Sequence, residues 1–409
     1  MTSAASDRDD VDRGDADRVD RIDSVPEAVL DRLVAPTAGR LWIESPQGPI
    51  ARQLMLHRLQ GWLNQGVPPR QILVLLPQRD RREQYRSTLA SSLKDPSKAA
   101  AVGIQTYYGL ASKAVRLLWP DVAAAAGFAH PLDPPVFLTY ETAQYLMSQI
   151  VQPLLGEGFF EGMAMRPQRI LSQLLDNLNK AAVNGYPMQE VGARLKSAWG
   201  GEREDLLTFD QVQVCIDRFR DHCLQHNLLD VSLAVDLFHR FLREREACAA
   251  YLAHYRFLAV EGVEESVPVA QDFLAHQLSL SDSALMVYRR HGGFRVFLGV
   301  DPIGAARLQE GCDETLQIPS QDHPVDHLAE HIITDLDDLS GDGSSQRPHA
   351  EIAATTVASI AARHRAGMIE AVAKTAVELV EAGAAEPGQI AIVAPYADGV
   401  LRFVLQQSL

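Results

Sequence analysis

The chain has 409 residues, 46% hydrophobic and 22% charged, with 38 basic against 53 acidic side chains and a net charge of -15. That length is ample for a sizeable core and excludes a collagen-like, wholly disordered or disulfide-stapled chain. The acidity argues against coating nucleic acid or an anionic membrane by bulk charge, while leaving room for a local basic groove.

Residues 1–37 read as a disordered acidic tail, because residues 7–23 alone hold eight aspartates and four arginines with almost nothing to bury. Residues 39–43 read as a short buried strand ending in the turn-rich Ser45-Pro46-Gln47-Gly48-Pro49. Leu54, Leu56, Leu59, Trp62 and Leu63 then keep helical spacing. Residues 71–76 are a near-continuous apolar run, the mark of a parallel strand covered on both faces. A charged helix over 79–93, a strand over 102–106 and another helix follow. This alternation predicts an α/β fold with a parallel sheet.

Between residues 121 and 228 helical patterns take over, at 139–155, 167–184 and 209–227, and predict a helical insertion into the α/β domain. Strands are expected again at 257–260, 284–288 and 296–300. Residues 336–350 read as a polar linker. A long Ala-rich helix, an apolar strand over 389–394 and a final helix complete the chain. No run approaches the ~18 apolar residues of a membrane helix, so no membrane partner is expected. Cys215, Cys223, Cys248 and Cys312 match no zinc spacing and, without a secretory signal, read as reduced thiols in a cytoplasmic protein.

The turn over residues 43–51 sits where a strand feeds a helix, a position suited to anion binding on helix N-terminal amides. Its residues are poorly suited to a triphosphate: Pro46 and Pro49 remove amide donors, and Ile50 stands where a lysine would meet the phosphates. From its own residues the loop reads better as a plain strand–helix turn.

The order of segments resembles the first motor domain of UvrD/Rep-type superfamily 1 helicases, including AddB-like subunits of recombination nucleases. Residues 44–51 fall on that family's A-G-P-G-T-G-K-T loop, and residues 66–75 (GVPPRQILVL) look like its G-V-P-P-E-Q-I-L-V-L segment. Residues 105–110 (QTYYGL) resemble T-F-H-S-F, and residues 229–233 (LDVSL) resemble L-D-F-D-D-L. Residues 255–266 (YRFLAVEGVEES) sit on Y-I-L-V-D-E-F-Q-D-T, and Val300-Asp301-Pro302-Ile303-Gly304 on G-D-P-D-Q.

The resemblance implies a P-loop NTPase-like, RecA-like sheet formed by residues 38–120 and 229–335, with residues 121–228 as the helical insertion. Residues 351–409 would be the incomplete start of a second motor domain. It implies degenerate nucleotide-binding positions at Gly48, Glu261 and Asp301.

An NTPase of this kind needs a lysine on the phosphates, a carboxylate on magnesium and a second carboxylate to activate water. Here those positions are Ile50, Glu261 and Gly262. Gly304 replaces the γ-phosphate-sensing glutamine, and Gln321 falls on the arginine of N-Y-R-S. Glu261 retains an acid able to hold a metal, whereas Glu264 and Glu265 read as solvated or helix-N-terminal charges beyond the strand.

No catalytic residue and no cofactor is therefore expected, with ATP and Mg2+ required only if the family's activity is retained. The function implied is a helicase-like DNA repair or recombination subunit that guides single-stranded DNA for an active helicase–nuclease partner. The alternative is an active ATP-dependent helicase or translocase with unorthodox motifs, acting on single-stranded or duplex DNA.

Candidate DNA contacts are Thr106, Tyr107 and Tyr108, whose rings would stack on bases, together with Arg79 and Arg82 from the cluster that also holds Arg81 and Arg86. A core tyrosine pair and a solvated helix face remain the competing reading. The histidine sets His323, His327, His331 and His222, His226 read as solvated rather than metal-ligating, since each lacks a full ligand set.

Overall fold

Among the described residues the first helix in chain order is α1 (Glu27–Val34), whose Val29 and Leu33 turn inwards. The structure, a computed structural model, describes residues 25–35, 39–46, 50–163, 165–201, 206–243, 245–319, 332 and 358–409. The acidic tail expected over 1–37 is therefore too long: amphipathic spacing in residues 27–34 is enough to make a helix that packs on the next one. The chain divides into two compact units, residues 1–321 and 322–409.

In the first unit α1 is followed by β1 (Arg40–Ser45), α2 (Ile50–Asn64), β2 (Ile72–Leu75), α3 (Arg81–Ser92), α4 (Ser97–Ala101) and β3 (Gly103–Gln105). Next come α5 (Tyr107–Leu117), α6 (Trp119–Ala123), β4 (Val136–Phe137), α7 (Tyr140–Gly156), α8 (Pro167–Val183), α9 (Val191–Ala198) and α10 (Leu206–Gln225). Then follow β5 (Leu228–Leu229), α11 (Val231–Asp236), a π-helical stretch (Leu237–Leu242), α12 (Glu246–Ala253), β6 (Phe257–Glu261) and α13 (Pro268–Leu280). The unit closes with β7 (Ser283–Arg289), α14 (Pro302–Ala306) and β8 (Glu314–Gln317).

The expected α/β class holds. Six strands form one sheet in the order β3-β2-β6-β7-β1-β8, and every neighbouring pair runs parallel. Strand residues alternate between two apolar layers, as a sheet buried on both faces requires. Leu41, Ile43, Ile72, Val74, Ala259, Leu285 and Val287 meet α1 to α4 on one face. Trp42, Leu73, Leu75, Leu258, Val260, Ala284 and Met286 meet the other layer.

The helical segment expected as an insertion contributes to that second layer. Its Met147, Leu174, Leu178 and Phe219 join a single apolar cluster with the sheet residues, Phe238 and Phe273. Buried Arg220 links its last helix to the chain beyond it: Nη1 lies 2.5 Å from Asp230 Oδ1 and Nη2 3.2 Å from Oδ2. Asp230 in turn caps α11, accepting from the Leu233 amide at 3.1 Å.

Two expected strands are absent. Residues 296–300 instead form a 3-10 turn, Val296–Leu298, ended by Gly299 in the left-handed region at φ 91°. Val296, Phe297 and Leu298 are exposed there. High β-propensity in a short run is not enough without a neighbouring strand to pair with. Residues 390–398 of the second unit are also not a strand, and Val393 is 90% exposed. A lone strand leaves its amides and carbonyls unpaired. In that unit α15 (Arg365–Glu381) packs on α16 (Gly399–Ser408) through Ile369, Ala373 and Leu401. The linker expected over 336–350 lies outside the described residues.

Candidate functional site

In a parallel sheet the C-terminal strand ends carry the ligand-binding loops. Here β1 and β6 flank β7, so the loop after β1 and the acid ending β6 open onto one edge. Gly48 lies outside the described residues. Ile50 begins α2 and is 4% exposed, packed in the apolar layer with Ile43 and Leu54. The position that would need a phosphate-binding cation is thus built as core.

Glu261 is 3% exposed, and protein groups take both of its oxygens. Arg81 Nη1 donates to Oε1 at 2.7 Å, and the Tyr85 hydroxyl donates to Oε2 at 2.9 Å. Arg81 and Tyr85 are four residues apart on α3, so they present to the same side. Arg289 lies in register beside Ser45, the last residue of β1. Its Nη2 sits 3.6 Å from Glu261 Oε1, and its Nε lies 3.1 Å from Glu264 Oε1. The second approach is a charge contact whose angle is too bent for a hydrogen bond.

Burial and the neighbouring Glu261 carboxylate push the Tyr85 hydroxyl well above its ordinary pKa, so it stays a donor. Two arginines and two glutamates cancel, leaving no net negative charge to attract magnesium. The acid expected to be free for a metal is therefore occupied, and the residues present do not fit a magnesium–nucleotide group.

Glu264, expected as a solvated charge, is only 1% exposed. Its Oε2 accepts from the Arg289 amide at 2.9 Å. Burial raises its pKa, against the opposing pull of that amide and the Arg289 guanidinium. Glu265 pairs with Arg295 at 2.8 Å. Both acids follow a tight turn at Gly262, whose φ of 68° brings the chain back over the end of the strand. A Cβ on Gly262 would lie 2.8 Å from Arg289 Nη2. Gly262→Ala is expected to lower stability by about 1–2 kcal/mol from the left-handed backbone alone, with displacement of Arg289 adding to it. Urea denaturation checks this, and an unchanged midpoint would refute it.

Asp301 also serves the fold, since its Oδ1 accepts the Gly304 amide at 2.9 Å and caps α14. Thr106 does the same for α5, accepting the Gly109 amide at 3.0 Å. Tyr107 and Tyr108 are half-buried against the core. The Tyr107 ring lies 5.8 Å from both Phe238 and Phe273, and its hydroxyl is enclosed without a partner. Arg79 is exposed and Arg82 partly so, neither engaged by an acid among the described residues. The structure thus brings Glu261 together with Arg81, Tyr85 and Arg289, partners that sequence reading did not assign. The Arg81–Tyr85 spacing was the one local signal. Nothing local marked Arg289.

His222 and His226 stack on α10 with ring centroids 4.3 Å apart. Among the described residues no group of three His, Cys, Asp or Glu side chains could hold a metal. His323, His327, His331 and Gln321 lie outside the described residues. No helix of the described residues is long and apolar enough to cross a membrane. Comparison with protein-family models and with curated proteins finds no match to this chain.

Proposed function

We propose that this chain is a RecA-like, helicase-like module of AddB type. In this reading it binds single-stranded DNA in repair or recombination, in the cytoplasm and beside an active helicase–nuclease subunit, without hydrolysing ATP itself. One observation carries the non-catalytic half: Glu261 is buried under Arg81, Tyr85 and Arg289, with Gly262 in place of a second acid. Hydrolysis requires a metal-bound carboxylate and an acceptor for the proton of the attacking water. The strand order supports the motor-like reading, because β1 and β6 open onto one crevice. The DNA half is supported by exposed Arg79 and by Tyr108 at the same edge of the sheet.

Two measurements test it. DNA-stimulated ATP turnover is expected to stay at background; turnover that Glu261→Gln abolishes would restore the active-helicase alternative. Fluorescence anisotropy with a labelled oligothymidylate is expected to show binding that weakens steeply with salt, since phosphate contacts release counterions. Arg79→Ala and Tyr108→Ala should each weaken it. Absence of binding at low salt removes DNA as a partner.

A further inference from the structure

Beside β3, the edge strand of the sheet, lies a cleft of about 440 Å³. It runs along Gly103-Ile104-Gln105 towards Arg70 and Tyr255, which precede β2 and β6. It therefore follows the side of the sheet and the entrances of its strands, apart from the crevice where β1 and β6 end. Its lining holds Arg70, Arg82, Arg86 and Lys113 and contains no aspartate or glutamate.

The cleft gathers cations with no counter-charge in its lining. Elsewhere Arg32, Arg40, Arg81, Arg220, Arg240, Arg256, Arg289 and Arg295 each lie beside a carboxylate. Among the described residues, none of the four cations in the cleft has an acidic partner. Arg82 and Arg86 stand four apart on α3, a like-charge arrangement that costs stability unless something offsets it. Two enclosed donors in the lining, Arg86 Nε and Gln105 Nε2, have no acceptor. Buried donors are normally satisfied.

We infer that this cleft is a binding site for phosphoryl groups, a polyphosphate or a run of phosphodiesters. Several cations converging from three separate elements suit a ligand with several negative oxygens rather than a single carboxylate. The guanidinium forks match phosphate geometry, with Lys113 adding a mobile point charge at the mouth. The inference does not depend on the helicase-like reading, because its residues other than Arg82 lie outside the proposed DNA contacts.

The test is titration calorimetry at low ionic strength with inorganic tripolyphosphate, using the wild type, Arg86→Ala, Lys113→Gln and, as a control, Arg218→Ala, an exposed arginine of α10 outside the cleft. Saturable binding is expected, weakened about tenfold by Arg86→Ala and less by the exposed Lys113→Gln, with Arg218→Ala unchanged. Competition with oligothymidylate separates the sources. Displacement of tripolyphosphate identifies the phosphodiesters of a strand, and failure to displace it identifies free phosphate compounds. No saturable binding of either probe, or binding indifferent to both cleft substitutions, overturns the inference. Tripolyphosphate binding without any DNA binding would leave the cleft standing and remove the DNA reading alone.

Discussion

Glu261→Ala is expected to lower the stability of the first unit by about 3–5 kcal/mol, because removing one partner of a buried pair leaves the other charge uncompensated. The truncation strips Arg289 of one of its two acids and the enclosed Tyr85 hydroxyl of its acceptor. Arg81 contributes less, since its side chain is 38% exposed and water can screen it. Glu261→Gln keeps an acceptor for Tyr85 and should cost less than the alanine variant. Urea midpoints of the three proteins give the ranking. The same experiment with added Mg2+ separates a structural acid from a metal ligand: the metal should not stabilise the wild type. A stabilisation by Mg2+ that vanishes in Glu261→Gln would show that the carboxylate is available after all, and the non-catalytic reading would fall.

The second large effect is expected at Asp230. Asp230→Ala removes the partner of buried Arg220 and the cap of α11 together, and should also cost about 3–5 kcal/mol at neutral pH. Burial alone would raise the Asp230 pKa. The Arg220 guanidinium, the Ser232 hydroxyl and the Leu233 amide more than offset it, and the carboxyl is held below its ordinary range. A depressed folded pKa means stability that is present above the unfolded value of about 3.9 and lost as pH falls through the folded one. The gap between wild type and Asp230→Ala should therefore narrow on acidification below about pH 4. Glu264 works in the opposite direction. Its raised pKa favours the protonated folded form, so its contribution is present at low pH and lost as pH rises through its folded value. Denaturation midpoints at pH 7 and in the acid limb decide between them. A gap unchanged across that range would mean that Asp230 does not carry the acid dependence.

Much of the fold was legible because its signals are local. The apolar run 71–76 became β2, and the patterns at 257–260 and 284–288 became β6 and β7, since strands buried on both faces must be apolar throughout. Helical spacing placed α7, α8 and α10 within a few residues of where they lie. The failures share a cause. Val296–Leu298 has the composition of a strand but no neighbour to pair with, whereas Glu314–Gln317 is polar at all but Leu316 and pairs with β1. Partner availability, not propensity, decided both.

For the site, the residue types at Ile50 and Gly262 were enough to argue against hydrolysis from the sequence alone, because neither side chain can supply a cation or accept a proton. Which groups would surround Glu261 was beyond its reach. Arg81 is 180 residues away in the chain, and Arg289 reaches the site only because β7 lies between β1 and β6. The same holds for net charge. The sequence established an acidic chain, but the tertiary structure decided which cations are neutralised. It sets Arg32, Arg40, Arg81, Arg220, Arg240, Arg256, Arg289 and Arg295 beside acids and leaves Arg70, Arg82, Arg86 and Lys113 together along the β3 edge with no acidic partner among the described residues. Periodicity and residue chemistry are read within a few turns of chain, whereas ion pairing depends on which strands become neighbours, and only folding sets that.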